Sequence, residues 1–137
     1  MFVKKFSALQ MWGAVSVLKK TEDNMEKTFT EMITFQVKPD KLAEFEELAG
    51  RLKAEQAKQE GCVGIRYFKR FYTFDDKVHE PPRELTRIVK CVKYYAYWEF
   101  DTIENCGNGT GWLFDNYYKE LSILLIMPFD LNSGYSL

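Results

Sequence analysis

ITFQVKPDKLAEFEELAGRLKAEQAKQEGCVGIRYFKRF, residues 33–71, decides the fold, because its hydrophobic period changes twice within one continuous stretch. Taken from slightly upstream, TFTEMITFQVK, residues 28–38, sets Phe29, Ile33, Phe35 and Val37 in alternation with Thr28, Thr34, Gln36 and Lys38. Glu31 is the one polar residue on the apolar side. A period of two is the signature of a strand. Pro39 and Asp40 end it, and Pro is tolerated in a first helical turn, where its missing N–H is not needed. From Leu42 the period lengthens. Leu42, Phe45, Leu48, Ala49, Leu52 and Gln56 recur at three and four, with Glu44, Glu46, Glu47, Lys53 and Lys58 opposite. That pattern is an amphipathic helix, predicted to end before Gly61. Cys62–Tyr72 returns to alternation, with Val63, Ile65, Tyr67, Lys69 and Phe71 on one side and Gly64, Arg66, Phe68, Arg70 and Tyr72 on the other. It reads as a second strand with one apolar and one cationic, aromatic face.

Downstream, Thr73–Glu84 carries Asp75, Asp76, Pro81 and Pro82, which break regular structure. RIVKCVKYYAYWEF, Arg87–Phe100, is rich in branched and aromatic residues and is predicted to be the third strand. In Thr102–Leu121, Gly107, Gly109 and Gly111 are expected to break a helix early, leaving it continuous only over Trp112–Leu121. SILLIMPFDL, Ser122–Leu131, reads as a short apolar strand with Pro128 near its end, as an edge strand allows. The order strand, helix, strand, strand, helix, strand is the βαββαβ arrangement of an α+β, ferredoxin-like fold with an antiparallel sheet. Two helices cover one sheet face, and the other, expected to be apolar, needs a partner. A second copy is the natural one, so the chain is expected to form a homodimer, a dimeric α+β barrel. Met25 is a natural start for this unit. Residues 1–24 then form an N-terminal extension, and residues 25–137 the ferredoxin-like α+β barrel domain. The uncharged Phe6–Leu18 run between Lys4, Lys5 and Lys19, Lys20 looks a little like a secretory signal, but Ser7, Gln10 and Ser16 interrupt it and no small-x-small site precedes the second basic pair.

Composition narrows the function classes. Lys and Arg number 19 against 20 Asp and Glu, for a net charge of −1, which argues against nucleic acid as a partner. No run approaches the roughly 20 apolar residues of a membrane span, so no membrane partner is expected. Cys62, Cys91 and Cys106 are odd in number and widely spaced, and a single His cannot complete a zinc set. Buried free thiols in a reducing compartment follow, hence a cytoplasmic protein with no metal. Aromatic residues make up 16% and cluster in Tyr67–Phe74 and Tyr94–Phe100. These clusters fill a core or line a pocket for a flat ligand.

Residues 33–71 resemble the first half of the antibiotic biosynthesis monooxygenase family: a strand, a Lys-Pro turn, a helix with Phe-x-x-Leu spacing, and a Glu-Gly-Cys turn into the second strand. Tyr97-Trp98-Glu99 is similar to the aromatic strand ending in Trp-Glu that the family carries. Tyr117-Tyr118-Lys119-Glu120-Leu121 resembles the end of its second helix. The resemblance covers about residues 29–130, apart from the long join between strands two and three. It implies a pocket between sheet and helices in which a small aromatic molecule, a phenol, anthrone or quinol, reacts with oxygen and no cofactor. A base removes a substrate proton, and the electron-rich anion passes an electron to oxygen in a dry, aromatic-walled cavity. This sequence departs from the family at the second-helix His, where Asn116 and Tyr117 stand. The departure moves weight toward a non-catalytic ligand-binding or structural dimer of the same fold. It also disfavours haem, as does Gln36 where some relatives carry an Asn on the first strand.

The residues expected to act are Trp98, Asn116 and His79. Trp98 is where the motif match lands, although a strand Trp is commonly core. Asn116 would donate to a substrate carbonyl or peroxide oxygen. His79 is the one side chain poised near neutrality, but it sits in VHEPP, which reads as an exposed loop. Substrate contacts are assigned to Arg66, Phe68, Tyr72, Tyr95, Tyr97 and Tyr117. Tyr95 and Tyr97 share a side with Glu99, and Tyr94 shares the other with Ala96 and Trp98. The ordinary alternatives are Tyr residues at a dimer seam and ion pairs from Arg66 and Arg70 to Glu31 or to the first helix. GNGTG, residues 107–111, lacks the register and following Lys of a phosphate loop. Gly61–Trp98 holds eight basic and four acidic residues, so any ligand is expected on the cationic, aromatic middle strands.

Overall fold

The computed structural model describes residues 27–75, 79–88 and 90–137. The extension assigned to residues 1–24 lies outside them. The first strand, β1 (Phe29–Val37), is followed by a 3-10 turn at Pro39–Lys41 and by helix α1 (Leu42–Ala57). A turn through Gly61, with φ of +82°, leads into β2 (Cys62–Lys69). A side chain at Gly61 would collide with Asp101 and Asn105, so both the backbone angle and the space require glycine there. Then come the two-residue strands β3 (Tyr72–Thr73) and β4 (Arg83–Glu84), β5 (Val92–Phe100), helix α2 (Ile103–Leu124) and β6 (Asp130–Tyr135).

The sheet order is β2-β5-β1-β6, antiparallel throughout, which is the ferredoxin-like α+β topology. The chain alone makes an open sheet with β2 and β6 at its edges, not a closed barrel. The two helices cover one face. Phe45, Leu48, Leu52 and Gln56 from α1 are buried, as their spacing predicts, and they meet Ile33, Phe35, Val37, Tyr94, Ala96, Trp98 and Phe100 from the two central strands. The join between β2 and β5 is not wholly irregular. Tyr72 pairs with Glu84 and Thr73 with Arg83 in a short hairpin of its own, and Leu85 N–H donates to the Phe71 carbonyl at 2.8 Å.

Four sequence expectations need correction. The second helix is continuous for 22 residues and starts at Ile103, with Thr102 as its N-cap accepting from Asn105 N–H. Its glycines do not break it, because Gly109 is where the helix closes on the sheet. A methyl group there would lie 2.7 Å from Phe100 Cζ and 3.2 Å from Trp98 Cη2. Secondly, Ser122–Leu131 is not the last strand. Cys106, Gly109, Leu113, Leu121 and Leu124 form one buried helical stripe, so the apolar run completes α2. Ile126 N–H to Gln36 O and Lys38 N–H to Leu124 O, both 2.9 Å, then tie its end to β1, and the strand follows at Asp130. Thirdly, β5 begins at Val92 rather than Arg87 and β2 ends at Lys69, since the residues between them serve the hairpin. Finally, the uncovered sheet face is mixed rather than apolar. Across it run Arg66, Tyr97, Met32 and Asn132 in one row and Phe68, Tyr95, Thr34 and Asp130 in the next.

Candidate functional site

The alternation of β1 and β5 sends the predicted site residues to opposite sides of the sheet. On the covered side, Ile65, Trp98, Glu31 and Ser133 form one cross-strand row. Trp98 is wholly buried, its ring packed on Phe100 at a centroid distance of 4.7 Å. Its indole N–H has no hydrogen-bond partner among the described residues. An orphaned buried donor is uncommon in a folded interior, where leaving it unpaired costs roughly 1–3 kcal/mol.

Glu31, the polar exception in the strand pattern, is beside it. It does not pair with Arg66, as that pattern allowed, because the two side chains leave opposite faces of the sheet. Its carboxyl is buried and held from α2: Oε2 accepts from Thr110 Oγ1 at 2.7 Å, and Oε1 from Cys106 Sγ at 3.7 Å. Burial pushes its pKa above the ordinary carboxylate range, against the opposing effect of those two hydrogen bonds. Burial, with the Glu31 charge, raises the Cys106 thiol to about 11. Burial also raises the Cys62 thiol. A buried carboxyl, the Cys106 thiol and an indole N–H without a hydrogen-bond partner among the described residues thus lie together between sheet and helix. A carboxyl so placed is suited to holding or accepting a proton from a weakly acidic partner. Among the described residues no group of three His, Cys, Asp or Glu converges as a metal site.

The remaining predicted residues are elsewhere. Arg66, Phe68, Tyr95 and Tyr97 share the uncovered sheet face, where Phe68 stacks on Tyr95 at 5.1 Å and the Arg66 guanidinium lies over Tyr97 at 5.7 Å. These four are brought together, but with the sheet between them and Trp98. Asn116 is exposed on the outer side of α2, its Nδ2 donating to the Trp112 carbonyl at 2.9 Å. It shares an open cleft of about 300 Å³ with Tyr117, Arg51 and Glu120. Tyr72 is exposed in the β3–β4 hairpin and His79 is exposed in the turn between those strands. The sequence pattern does not single out Thr110 and Cys106 as partners of Glu31; their only signal is their place one residue after and three residues before the buried Gly109.

An open antiparallel four-stranded sheet with two helices on one face defines a ferredoxin-like α+β domain, here with a buried carboxyl between the layers. Residues 28–80 match the family described as antibiotic biosynthesis monooxygenase, the family that residues 33–71 resemble. The fold is similar to that of Rv0793 from Mycobacterium tuberculosis, at TM-score 0.58 and 13% identity over 80% of this chain and 95% of that one. It is also similar to a conserved protein from Methanosarcina mazei, at TM-score 0.55 and 19% identity over 82% and 96% of the two chains. SnoaB, a cofactor-independent oxygenase from Streptomyces nogalater, superposes at TM-score 0.51 and 19% identity over 80% of this chain and 91% of that one. No curated protein matches this sequence. Among the described residues, no helix is long and apolar enough to cross a membrane.

Proposed function

We propose that this protein is a cofactor-independent monooxygenase for a small, electron-rich aromatic compound of the quinol or anthrone type, acting as a homodimer in the cytoplasm. The family match supports the reaction class, and the observation that carries the chemistry is the buried Glu31 carboxyl in register with Trp98. Glu31 is the base in this reading. It accepts the substrate proton, and the resulting carbanion or phenolate reduces oxygen by one electron. Recombination of the radical pair then places one oxygen atom in the product as a carbonyl, while the other leaves as water. Trp98 supplies a flat apolar wall, and its free indole N–H faces an oxygen of substrate or peroxide. The mixed sheet face with Arg66, Phe68, Tyr95 and Tyr97 forms the seam between copies, since Tyr, Met and Arg are the residues enriched in such interfaces.

One observation favours a second reading, a non-catalytic ligand-binding or structural dimer. Trp98 is 0% and Glu31 5% exposed, and the clefts on α2 and at the sheet end are lined by neither. Oxygen consumption with a panel of quinols and anthrones separates the two. The oxygenase reading expects uptake that is abolished in Glu31→Gln, reduced in Trp98→Phe and unchanged in the surface control Lys119→Gln. Trp98→Phe is chosen over truncation to Ala because truncating a fully buried Trp costs about 3–5 kcal/mol and would confuse lost activity with lost folding. Absence of uptake with every compound leaves the binding dimer.

A further inference from the structure

Beyond that reading, a cleft of about 240 Å³ opens where β2 ends, β5 begins and the β3–β4 hairpin folds over both. Arg70, Arg87, Lys90 and Lys93 all line it, and among the described residues no Asp or Glu does. None of the four forms an ion pair among the described residues, whereas their neighbours are paired: Lys69 with Glu46 at 3.2 Å and Arg83 with Asp75 at 2.7 Å. Four of the eight basic residues of Gly61–Trp98 thus stand around one concavity, without an ion-pair partner among the described residues.

The cleft is held by backbone, not only by exposed side chains. Arg70 N–H donates to the Lys93 carbonyl, and Leu85 N–H to the Phe71 carbonyl, each at 2.8 Å. The first ties the end of β2 to β5 and fixes the backbone at Arg70 and Lys93, and the second closes the hairpin beside them. Phe71, Leu85 and Val92, half-buried or buried, supply an apolar floor, with Ile88 at the rim. Four like charges around a low-dielectric concavity repel one another and focus a positive potential into it, which an anion relieves. The volume is below the usual range for drug-sized ligands and suits a small flat ring system of one or two fused rings with an acidic group. A net charge of −1 for the whole chain sets a polyanion aside.

We propose that this cleft binds a small organic anion, with a carboxylate or other oxyanion among Arg70, Arg87, Lys90 and Lys93 and a flat apolar body on Phe71 and Leu85. It lies at the end of the uncovered sheet face, apart from Glu31 and Trp98, so it is an anchoring or effector site independent of the oxygenase reading.

Calorimetric titration of the full chain with naphthoate tests it, with neutral naphthalenemethanol and inorganic phosphate as further arms. Naphthoate is expected to bind, phosphate to displace it, and the neutral analogue to bind at least about tenfold more weakly, since a charge-assisted hydrogen bond is worth that much or more. Arg70→Gln combined with Lys93→Gln should weaken naphthoate by roughly a hundredfold on the same scale. Both residues are exposed, and an unchanged circular dichroism spectrum establishes that the variant folds. No naphthoate binding, equal affinity for the neutral analogue, or an unaltered affinity in the double variant would each overturn the site. Because the readout is equilibrium binding, these outcomes are distinct from a failure to consume oxygen.

Discussion

Glu31 and Trp98 are directly opposed across the β1–β5 ladder, both on the helix-covered side and both buried. The carboxyl is satisfied by Thr110 and Cys106, and the indole is not satisfied at all. Burial raises the Glu31 pKa, so folding disfavours its ionised form relative to water despite the two donors. In the unfolded chain the group ionises in its ordinary range, so at intermediate pH the folded state binds more protons than the unfolded state. The Glu31 contribution to stability is therefore full below the unfolded pKa and is lost as pH rises through the folded one. Urea denaturation across acid to neutral pH should show Glu31→Gln gaining on the wild type as pH rises. A difference independent of pH would mean that Glu31 ionises as freely inside the fold as outside it.

Gly109 supports the same centre from the helix side. Its missing side chain lets α2 rest on the Phe100 and Trp98 rings, the nearest 2.7 Å from where a Cβ would stand. Gly109→Ala gains helix propensity of about 1 kcal/mol, but it loses roughly 1–3 kcal/mol to overpacking and is expected to be destabilising. Gly107→Ala meets nothing within 4 Å and should instead stabilise by about 1 kcal/mol. Opposite signs in a thermal melt check the assignment, and two equal stabilisations would show that Phe100 yields freely.

A second buried polar pair couples α1 to β2. Gln56 is wholly buried, its Oε1 accepting from Tyr67 O–H at 2.6 Å, and its Nε2 has no partner among the described residues. Gln56→Leu removes the orphaned donor but strands the Tyr67 hydroxyl, for a cost of roughly 1–3 kcal/mol. Adding Tyr67→Phe removes the stranded group, and the double variant should recover most of the loss. A double-mutant cycle by denaturant titration measures the coupling, and simple additivity would show that the hydrogen bond contributes nothing.

How far the sequence could be read depends on which physical signal each part left. Periodicity in β1, α1 and β5 follows from one buried face and one solvated face, so those elements and their core residues were legible. Gly109 was misread because a glycine chosen for close packing has the same letter as one that ends a helix, and only tertiary contact separates them. The run from Ser122 was misread because a continuous apolar stretch does not reveal whether its period is two or three and a half. Trp98 was singled out through a motif, and the structure places it in the core beside Glu31. Glu31 was noticed as an exception to its strand pattern, but its partners Thr110 and Cys106 lie 79 and 75 residues away and left no local trace.

The uncovered sheet face carries the prediction of dimerisation. Met32 is half-buried near its centre, directly opposite both Tyr97 and Asn132, while Phe68 at 53% and Tyr97 at 38% exposure leave large aromatic surfaces to water. Such a row of Arg66, Tyr97 and Met32 matches the composition of an interface core better than that of a solvated sheet. Light scattering at micromolar concentration should therefore give about twice the protomer mass of 16.2 kDa. Met32→Asp places an uncompensated charge at the centre of the seam, and burying it costs several kcal/mol, enough to dissociate a dimer of ordinary affinity. In the separated protomer the same side chain faces water, so the variant should keep its helical circular dichroism while its mass halves. A wild type that scatters as a single protomer would remove the dimer, and with it the assignment of Arg66, Phe68, Tyr95 and Tyr97 to a seam.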